Sequence, residues 1–449
     1  MSRARASYVL MRRVLLAAAF IVGACAPSPS AASPSPSAPD ATTPPTPGVA
    51  TIRATGSVVR SEAARAAADA DAAKRAAKAT AALGADLYAQ LGREQKNMVF
   101  SPYSIAVALA MTRAGAAGPT ATEMDAVLHA SLIGDVDAGF NGLDRALAKR
   151  PGSYPAGGTA TAPLELATAD RLWGQRGFEF GVPYLDRIAT SYGAGVGIVD
   201  YVNAREDARK AINAWVSDQT KARIPELVPD GVLNELTRFA LVNAIYMKAQ
   251  WTRPFGTARP APFHRLDGST TQASLMAVAS YEQYRRGVGY QAVGITYLGG
   301  LSMVVIVPDQ GEYQAFEAGL DGQRLGAVID GLAPMYVSLQ LPKFQFRTAA
   351  SLKGPLSRLG MPTAFSDRAD FSVISPREPL VLQEALHQAF ISVDEKGTEA
   401  AAATGFFGGA TGGPSQIVEL TVDRPFLFLV RDDETGAILF MGRVLDPNL

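Results

Sequence analysis

Asp394-Glu395-Lys396-Gly397-Thr398-Glu399-Ala400-Ala401-Ala402-Ala403-Thr404 is a stretch whose composition and surroundings disagree. An alanine tract after glutamate ordinarily propagates a helix. Here it follows the apolar run Ala385-Leu386-His387-Gln388-Ala389-Phe390-Ile391, which reads as the approach to a strand. It then runs into Gly405-Phe406-Phe407-Gly408-Gly409-Ala410-Thr411-Gly412-Gly413-Pro414, which no helix tolerates. The expectation is a long exposed segment between two strands, small in side chain and free of proline until Pro414. Loops of this length in compact domains are functional or disordered. A chain of small residues also enters a sheet at little steric cost. In that case Thr398, Ala400, Ala402 and Thr404 alternate inward, and none carries a charge.

Upstream of this stretch no internal repeat is visible. Glu62 to Leu91 is alanine-rich and reads as helix. In Asn97-Met98-Val99-Phe100-Ser101-Pro102-Tyr103-Ser104, Ser101 is placed to cap a buried helix whose first turn holds Pro102 and which Gly115 ends. Helix continues to about Leu147, a Gly/Pro-rich loop occupies Pro151 to Pro163, Leu166 to Trp173 reads as strand and Pro183 to Tyr192 as helix. Phe239 to Met247 is apolar on both faces, the mark of a central strand. Further strands are expected at Leu301–Val307, Val337–Phe346, Phe390–Val393, Phe426–Val430 and Ile438–Val444. Pro342 interrupts the Val337–Phe346 run and the apolar parity changes there, so an edge or bulge is expected. Helices early and strands late argue for an α+β fold with large mixed sheets.

Composition narrows the function classes. The 449 residues carry 42 basic and 42 acidic side chains, a formal net charge of +0 that leaves no electrostatic footprint for nucleic acid or an anionic membrane. Of the three histidines, His129 and His264 have no partner at metal-ligand spacing, so no metal and no cofactor is expected. No nucleophile elbow, zinc-protease motif or phosphate loop is present, and no catalytic residue is assigned.

The N-terminus reads differently from the rest. Arg12 and Arg13 precede an apolar run from Val14 to Ala24, half the length that spans a bilayer, and then Val22-Gly23-Ala24-Cys25. Cys25 is the single cysteine, so intramolecular disulfides are excluded. The four residues resemble a bacterial lipobox. Residues 1–24 are therefore expected to be a lipoprotein signal peptide, with Cys25 lipidated. Residues 25–60, rich in Pro, Ser, Ala and Thr, are expected to be a disordered spacer, and 61–449 one folded domain. The implied location is outside the cytoplasm, held to a bacterial membrane by lipid alone.

Two polar residues sit where packing would not choose them. Asn243 lies within the most apolar strand and His387 within the run that leads into another; each needs a partner if buried. Ser101 and Ser104 could supply hydroxyls, although spacing alone favours four separately satisfied residues.

These features together resemble the serpin family. Glu395-Lys396-Gly397-Thr398-Glu399-Ala400-Ala401-Ala402-Ala403-Thr404 is similar to its hinge. Asn97 through Ser104, Leu241-Val242-Asn243 with Trp251, Leu341-Pro342-Lys343, Leu386-His387, Pro425-Phe426-Leu427-Phe428-Leu429 and Phe440-Met441-Gly442 resemble its other motifs, in order, from about Ala81 to Pro447. The resemblance implies three β-sheets, about nine helices, an exposed reactive loop and a monomeric, non-enzymatic inhibitor of serine proteases. It further implies a shutter of Ser101, Ser104, Asn243 and His387, and a breach of Trp251, Lys343 and Glu395. Counting from the hinge puts the reactive bond at Thr411–Gly412, and counting back from Pro425 puts it near Pro414. Small Ala410 and Thr411 suit elastase-like or subtilisin-like proteases. The five glycines between Gly405 and Gly413 depart from the family and add entropy to the free loop.

Overall fold

The computed structural model describes residues 49–50, 58–399 and 416–449. Cys25 and the rest of the N-terminal stretch, the hinge residues Ala400, Ala401, Ala402, Ala403 and Thr404, and the bond Thr411–Gly412 lie outside the described residues. Two large sheets carry the folded unit. One has eight strands, ordered Phe344–Ser351, Ala385–Asp394, Gly397–Thr398, Phe239–Gln250, Thr161–Gln175, Val196–Val199 and Val58–Val59, with Gly152–Pro155 paired to Thr161–Gln175. The other has nine strands and runs from Ile417–Thr421 through Ala333–Pro342 and Thr270–Gly287 to Ile438–Val444 and Met98–Phe100. A two-stranded pairing of Val49–Ala50 with Phe180–Gly181 completes the sheets, and ten α-helices lie among the described residues. The order and direction of strands make this an α+β fold.

Helix Pro102–Arg113 explains how the two sheets are joined. Every residue but Arg113 is buried, because it packs against Phe239–Gln250 and Thr161–Gln175 of one sheet and Ile438–Val444 of the other. A helix apolar all round is one enclosed on all sides. Ser101 caps it, its hydroxyl oxygen accepting from the Ser104 N–H at 3.0 Å, with proline in the first turn.

Strand Phe239–Gln250 is covered on both faces, as its unbroken apolar run requires. Leu241 and Ile245 face the core around Pro102–Arg113, whereas Ala240, Val242 and Ala244 face a second core under helix Arg205–Gln219. The alternation of the pleat therefore assigns Asn243 to the inner face.

Several boundaries differ from the sequence reading, each for an identifiable reason. The first long helix is Ala70–Leu91 rather than starting near Glu62, because the Asp69 carboxylate accepts from the N–H groups of Asp71 and Ala72, both at 2.9 Å. The Gly/Pro-rich stretch after Pro151 forms a hairpin rather than a plain loop. Val58–Val59 pairs with Val196 and Gly197, so the ordered unit begins before residue 61. At Pro342 there is no bulge within a single strand: Ala333–Pro342 belongs to the nine-stranded sheet, and Phe344–Ser351 is the edge strand of the eight-stranded one. The chain changes sheets at Lys343, and the parity of its apolar residues changes with the face it must cover.

Candidate functional site

The eight-stranded sheet is closed below and wedged open above. Ala385–Ala389 pairs directly and in parallel with Leu241–Ile245, placing His387 opposite Asn243. Above that level the two strands part, and Gly397–Thr398 fills the gap: Thr398 pairs with Val393 on one side and Ala249 on the other, Gly397 with Asp394 and Gln250. Gly397 has φ +153°, and a Cβ there would lie 2.1 Å from the Ala249 carbonyl oxygen, so the position requires glycine.

Below the wedge a polar cluster crosses the inner face. The Ser101 backbone N–H donates to His387 Nε2 at 3.0 Å. That nitrogen must then be unprotonated, so Nδ1 carries the proton and donates to Asn243 Oδ1. The Asn243 amide in turn donates to Ser104 Oγ and to Asp170 Oδ1, and the Ser104 hydroxyl donates to Asp170 Oδ1 at 2.8 Å. Ser101, Ser104, Asn243 and His387 are thus one network, joined by Asp170 from the neighbouring strand, whose register sets it opposite Asn243. Burial holds the His387 imidazole down to about 3 and neutral. Burial also pushes the Asp170 carboxyl up to about 8, outweighing the hydrogen bonds from Ser104 and Asn243, while Asp144 nearby adds to the rise. Pairing lets these groups occupy an apolar interface: each would be costly alone.

At the upper end Trp251 is fully buried and stacked on Tyr297, ring centroids 4.1 Å apart. Its indole N–H donates to the Asp394 carbonyl at 2.9 Å, and its backbone N–H to that of Lys396 at 2.8 Å. The Tyr297 hydroxyl bonds Thr398 Oγ1 at 2.7 Å. Lys343 Nζ lies 2.8 Å from Glu395 Oε2, and Glu395 Oε1 accepts from the Ala258 N–H at 3.1 Å. Burial pushes the Glu395 carboxyl up, but these bonds prevail and hold it below the usual range. Both partners of the ion pair are partly exposed, so it contributes at most about 1 kcal/mol. Glu399, the last residue described before Gln416, has φ +55° and a buried side chain paired with Arg223.

Asp170, Tyr297 and Arg223 escaped the sequence reading. A carboxylate inside the strand run Leu166–Trp173 was a legible signal for the first. Nothing local marks the other two, whose roles come from distant chain segments. The remaining histidines are spoken for: His129 Nε2 contacts Asp86 at 2.7 Å and His264 Nδ1 faces the Thr270 hydroxyl at 3.3 Å. Among the described residues no group of three His, Cys, Asp or Glu is placed to hold a metal.

Comparison with known proteins places this architecture. The family model described as serpin (serine protease inhibitor) matches residues 78–447. The leukocyte elastase inhibitor of Xenopus tropicalis is 33% identical over 375 residues, covering 81% of this chain and 97% of that protein. An uncharacterized serpin-like protein of Thermococcus kodakarensis is 36% identical over 369 residues, covering 81% and 84%. Among solved structures, the thermophilic serpin tengpin in its native state superposes with TM-score 0.74 at 25% identity, covering 86% of this chain and 97% of tengpin. Human thyroxine-binding globulin in complex with its hormone superposes with TM-score 0.72 at 27% identity, covering 84% and 99%. With the family model spanning most of the folded unit and relatives aligned along nearly their whole length, the chain belongs to the serpin family.

Proposed function

We propose that the protein inhibits serine proteases by offering the segment between Glu399 and Gln416 as bait and trapping the enzyme through strand insertion. The observation that carries this reading is the wedge: Gly397–Thr398 already occupies the position of an added strand between Ala385–Asp394 and Phe239–Gln250, which pair directly below it. The next residues, Ala400 to Ala403, are small enough to continue that strand. In the proposed reaction the protease serine attacks the Thr411 carbonyl carbon, the peptide bond breaks, the Gly412 amine leaves with a proton, and an ester links enzyme and inhibitor. Insertion of the freed strand would part the lower pairing and carry the acylated enzyme across the sheet, deforming its active site before water hydrolyses the ester. Asp170, Ser104, Asn243, His387 and Ser101 lie under that parting line, so they act here as a shutter. Trp251, Lys343 and Glu395 lie where entry begins. The protein performs no turnover chemistry of its own in this reading and needs no cofactor.

Small residues before the bond suit elastase-like or subtilisin-like targets. The lipobox-like Val22 to Cys25 supports attachment to the outer face of a bacterial membrane, with the Pro/Ser-rich segment as spacer. A second reading, a surface binding protein that proteases merely cleave, is favoured by the glycines from Gly405 to Gly413, which slow insertion by raising loop entropy.

Incubation with elastase, subtilisin and chymotrypsin separates the two. An SDS-resistant complex is expected with the first or second enzyme; cleavage without complex or thermal stabilisation would sink the inhibitor reading. Thr398→Arg places a charge in the wedge against Tyr297 and should turn inhibitor into substrate, raising the moles consumed per mole of protease trapped. Cys25→Ser should move the protein from the membrane fraction to the soluble one, and unchanged partitioning refutes the anchor.

A further inference from the structure

The strand that receives the loop at its far end carries an exposed apolar row. Ile417 lies in register with Tyr336, and Tyr336 with Tyr281, across three adjacent strands of the nine-stranded sheet. Tyr281 is 66% and Ile417 53% exposed, and the two tyrosine rings meet edge to face with centroids 5.2 Å apart. The alternate residues Ser280, Val337 and Leu420 are buried, so the row belongs to the outer face of the pleat. That face is poor in charge. Along Ile417–Thr421, Ala333–Pro342 and the facing part of Thr270–Gly287 its outward positions include Ala277, Ala279, Ser338 and Gln340, and Glu419 is the charge they carry. An aromatic and aliphatic row with an uncharged surround is unusual for a solvent-facing sheet, where polar residues normally alternate outward.

Chain length decides what can cover it. At most about 3.5 Å per residue, the segment from the Thr411 carbonyl to Ile417 reaches roughly 20 Å. A protease of ordinary single-domain size has a radius of roughly 20 Å. An enzyme seated on the reactive bond must therefore lie against or beside this face, and a bond nearer Pro414 brings it closer still. The residues that follow the bond lead straight to Ile417, so the part of the enzyme that meets the row borders the leaving-group side of its cleft.

We infer that Tyr281, Tyr336 and Ile417 form a second contact surface for the target protease, recognising an apolar rim beside the leaving-group side of its active site. The inference rests on the inhibitor reading and goes beyond it: the loop supplies the bond, and this row supplies affinity in the encounter that precedes acylation. Large aromatic side chains at a solvent-excluded centre are the residues that dominate such contacts.

The test is the second-order rate of SDS-resistant complex formation with an elastase, measured together with the moles of inhibitor consumed per complex. Tyr281→Ala and Ile417→Ala should each slow complex formation about tenfold, the loss expected for a buried interface anchor. Consumption should stay unchanged, because neither residue touches the insertion path. Val288→Ala, at a 95% exposed position on a hairpin tip outside the row, should leave the rate unchanged. Equal rates for wild type and Tyr281→Ala overturn the inference while leaving the inhibitor reading intact; failure of wild type to form any complex overturns both. A wild-type dimer in sedimentation that Tyr281→Ala dissolves would assign the row to a second copy of this chain and overturn it. If a Phe406→Ala, Phe407→Ala double variant abolishes the effect of Tyr281→Ala, the row belongs to the chain's own loop, and the inference again falls.

Discussion

Asp170 brings a carboxyl group to an inner sheet face where its hydrogen-bond partners, Ser104 and Asn243, are neutral. Loss of hydration outweighs those bonds and pushes its pKa up to about 8, from an unfolded value near about 3.9. The folded state therefore holds this proton more tightly than the unfolded one. Its stabilising contribution is complete below about pH 4 and is lost as the pH rises toward 8. His387 works in the opposite sense. Its pKa is lowered to about 3, so its contribution is present above about pH 6.5 and is lost as the pH falls from there toward 3. Asp170→Asn keeps the shape and removes the first dependence. Melting curves from pH 5 to 8 should show the variant gaining on wild type as pH rises; a constant difference would mean that the carboxyl stays ionised throughout. The same residue shows what a sequence exposes. An aspartate in an apolar strand is visible, but only strand register places it against Asn243 rather than solvent.

At the scale of elements, the wedge Gly397–Thr398 depends on one backbone conformation. A Cβ at residue 397 collides with the Ala249 carbonyl, and φ +153° is itself strained for any residue but glycine. Gly397→Ala should expel the two-residue strand from its slot, at a cost of about 1–3 kcal/mol. Expulsion breaks the Tyr297–Thr398 hydrogen bond and opens the pocket around Trp251, so tryptophan emission should shift to the red and iodide should gain access. Unchanged emission would mean that the wedge tolerates the methyl group by a shift of Phe239–Gln250. The glycine at 397 is readable without a structure. That Gly397 and Thr398 pair with Val393 and Asp394 on one side and with Ala249 and Gln250 on the other is not, because Ala249 and Gln250 come from a strand far away in the chain.

For the molecule as a whole, the proposed insertion implies a better-bonded state than the one described. The eight-stranded sheet is paired below and spread above, and accepting the segment after Thr398 as a full strand would add backbone hydrogen bonds on both sides. At about 1 kcal/mol each, eight or more such bonds correspond to a rise in Tm of about 10 °C or more for a domain of this size. Cleavage of the loop between Ala410 and Ser415 by a non-target protease should produce that rise, measured by calorimetry on the nicked, still associated protein. A nicked protein that melts with the intact one would show that the glycines from Gly405 onward prevent insertion.

The sequence by itself determined the class of fold and the order of most elements. These follow from local period, capping and composition: Ser101 and Pro102 start a helix, and an unbroken apolar run makes Phe239–Gln250 central. Tertiary structure alone decided the change of sheet at Lys343, the joining of Ser101, Ser104, Asn243 and His387 through Asp170, the grip of Arg223 on Glu399, and how far the wedge enters. Each depends on register between strands far apart in the chain. Local periodicity states which face a residue takes but carries no information about what stands opposite it.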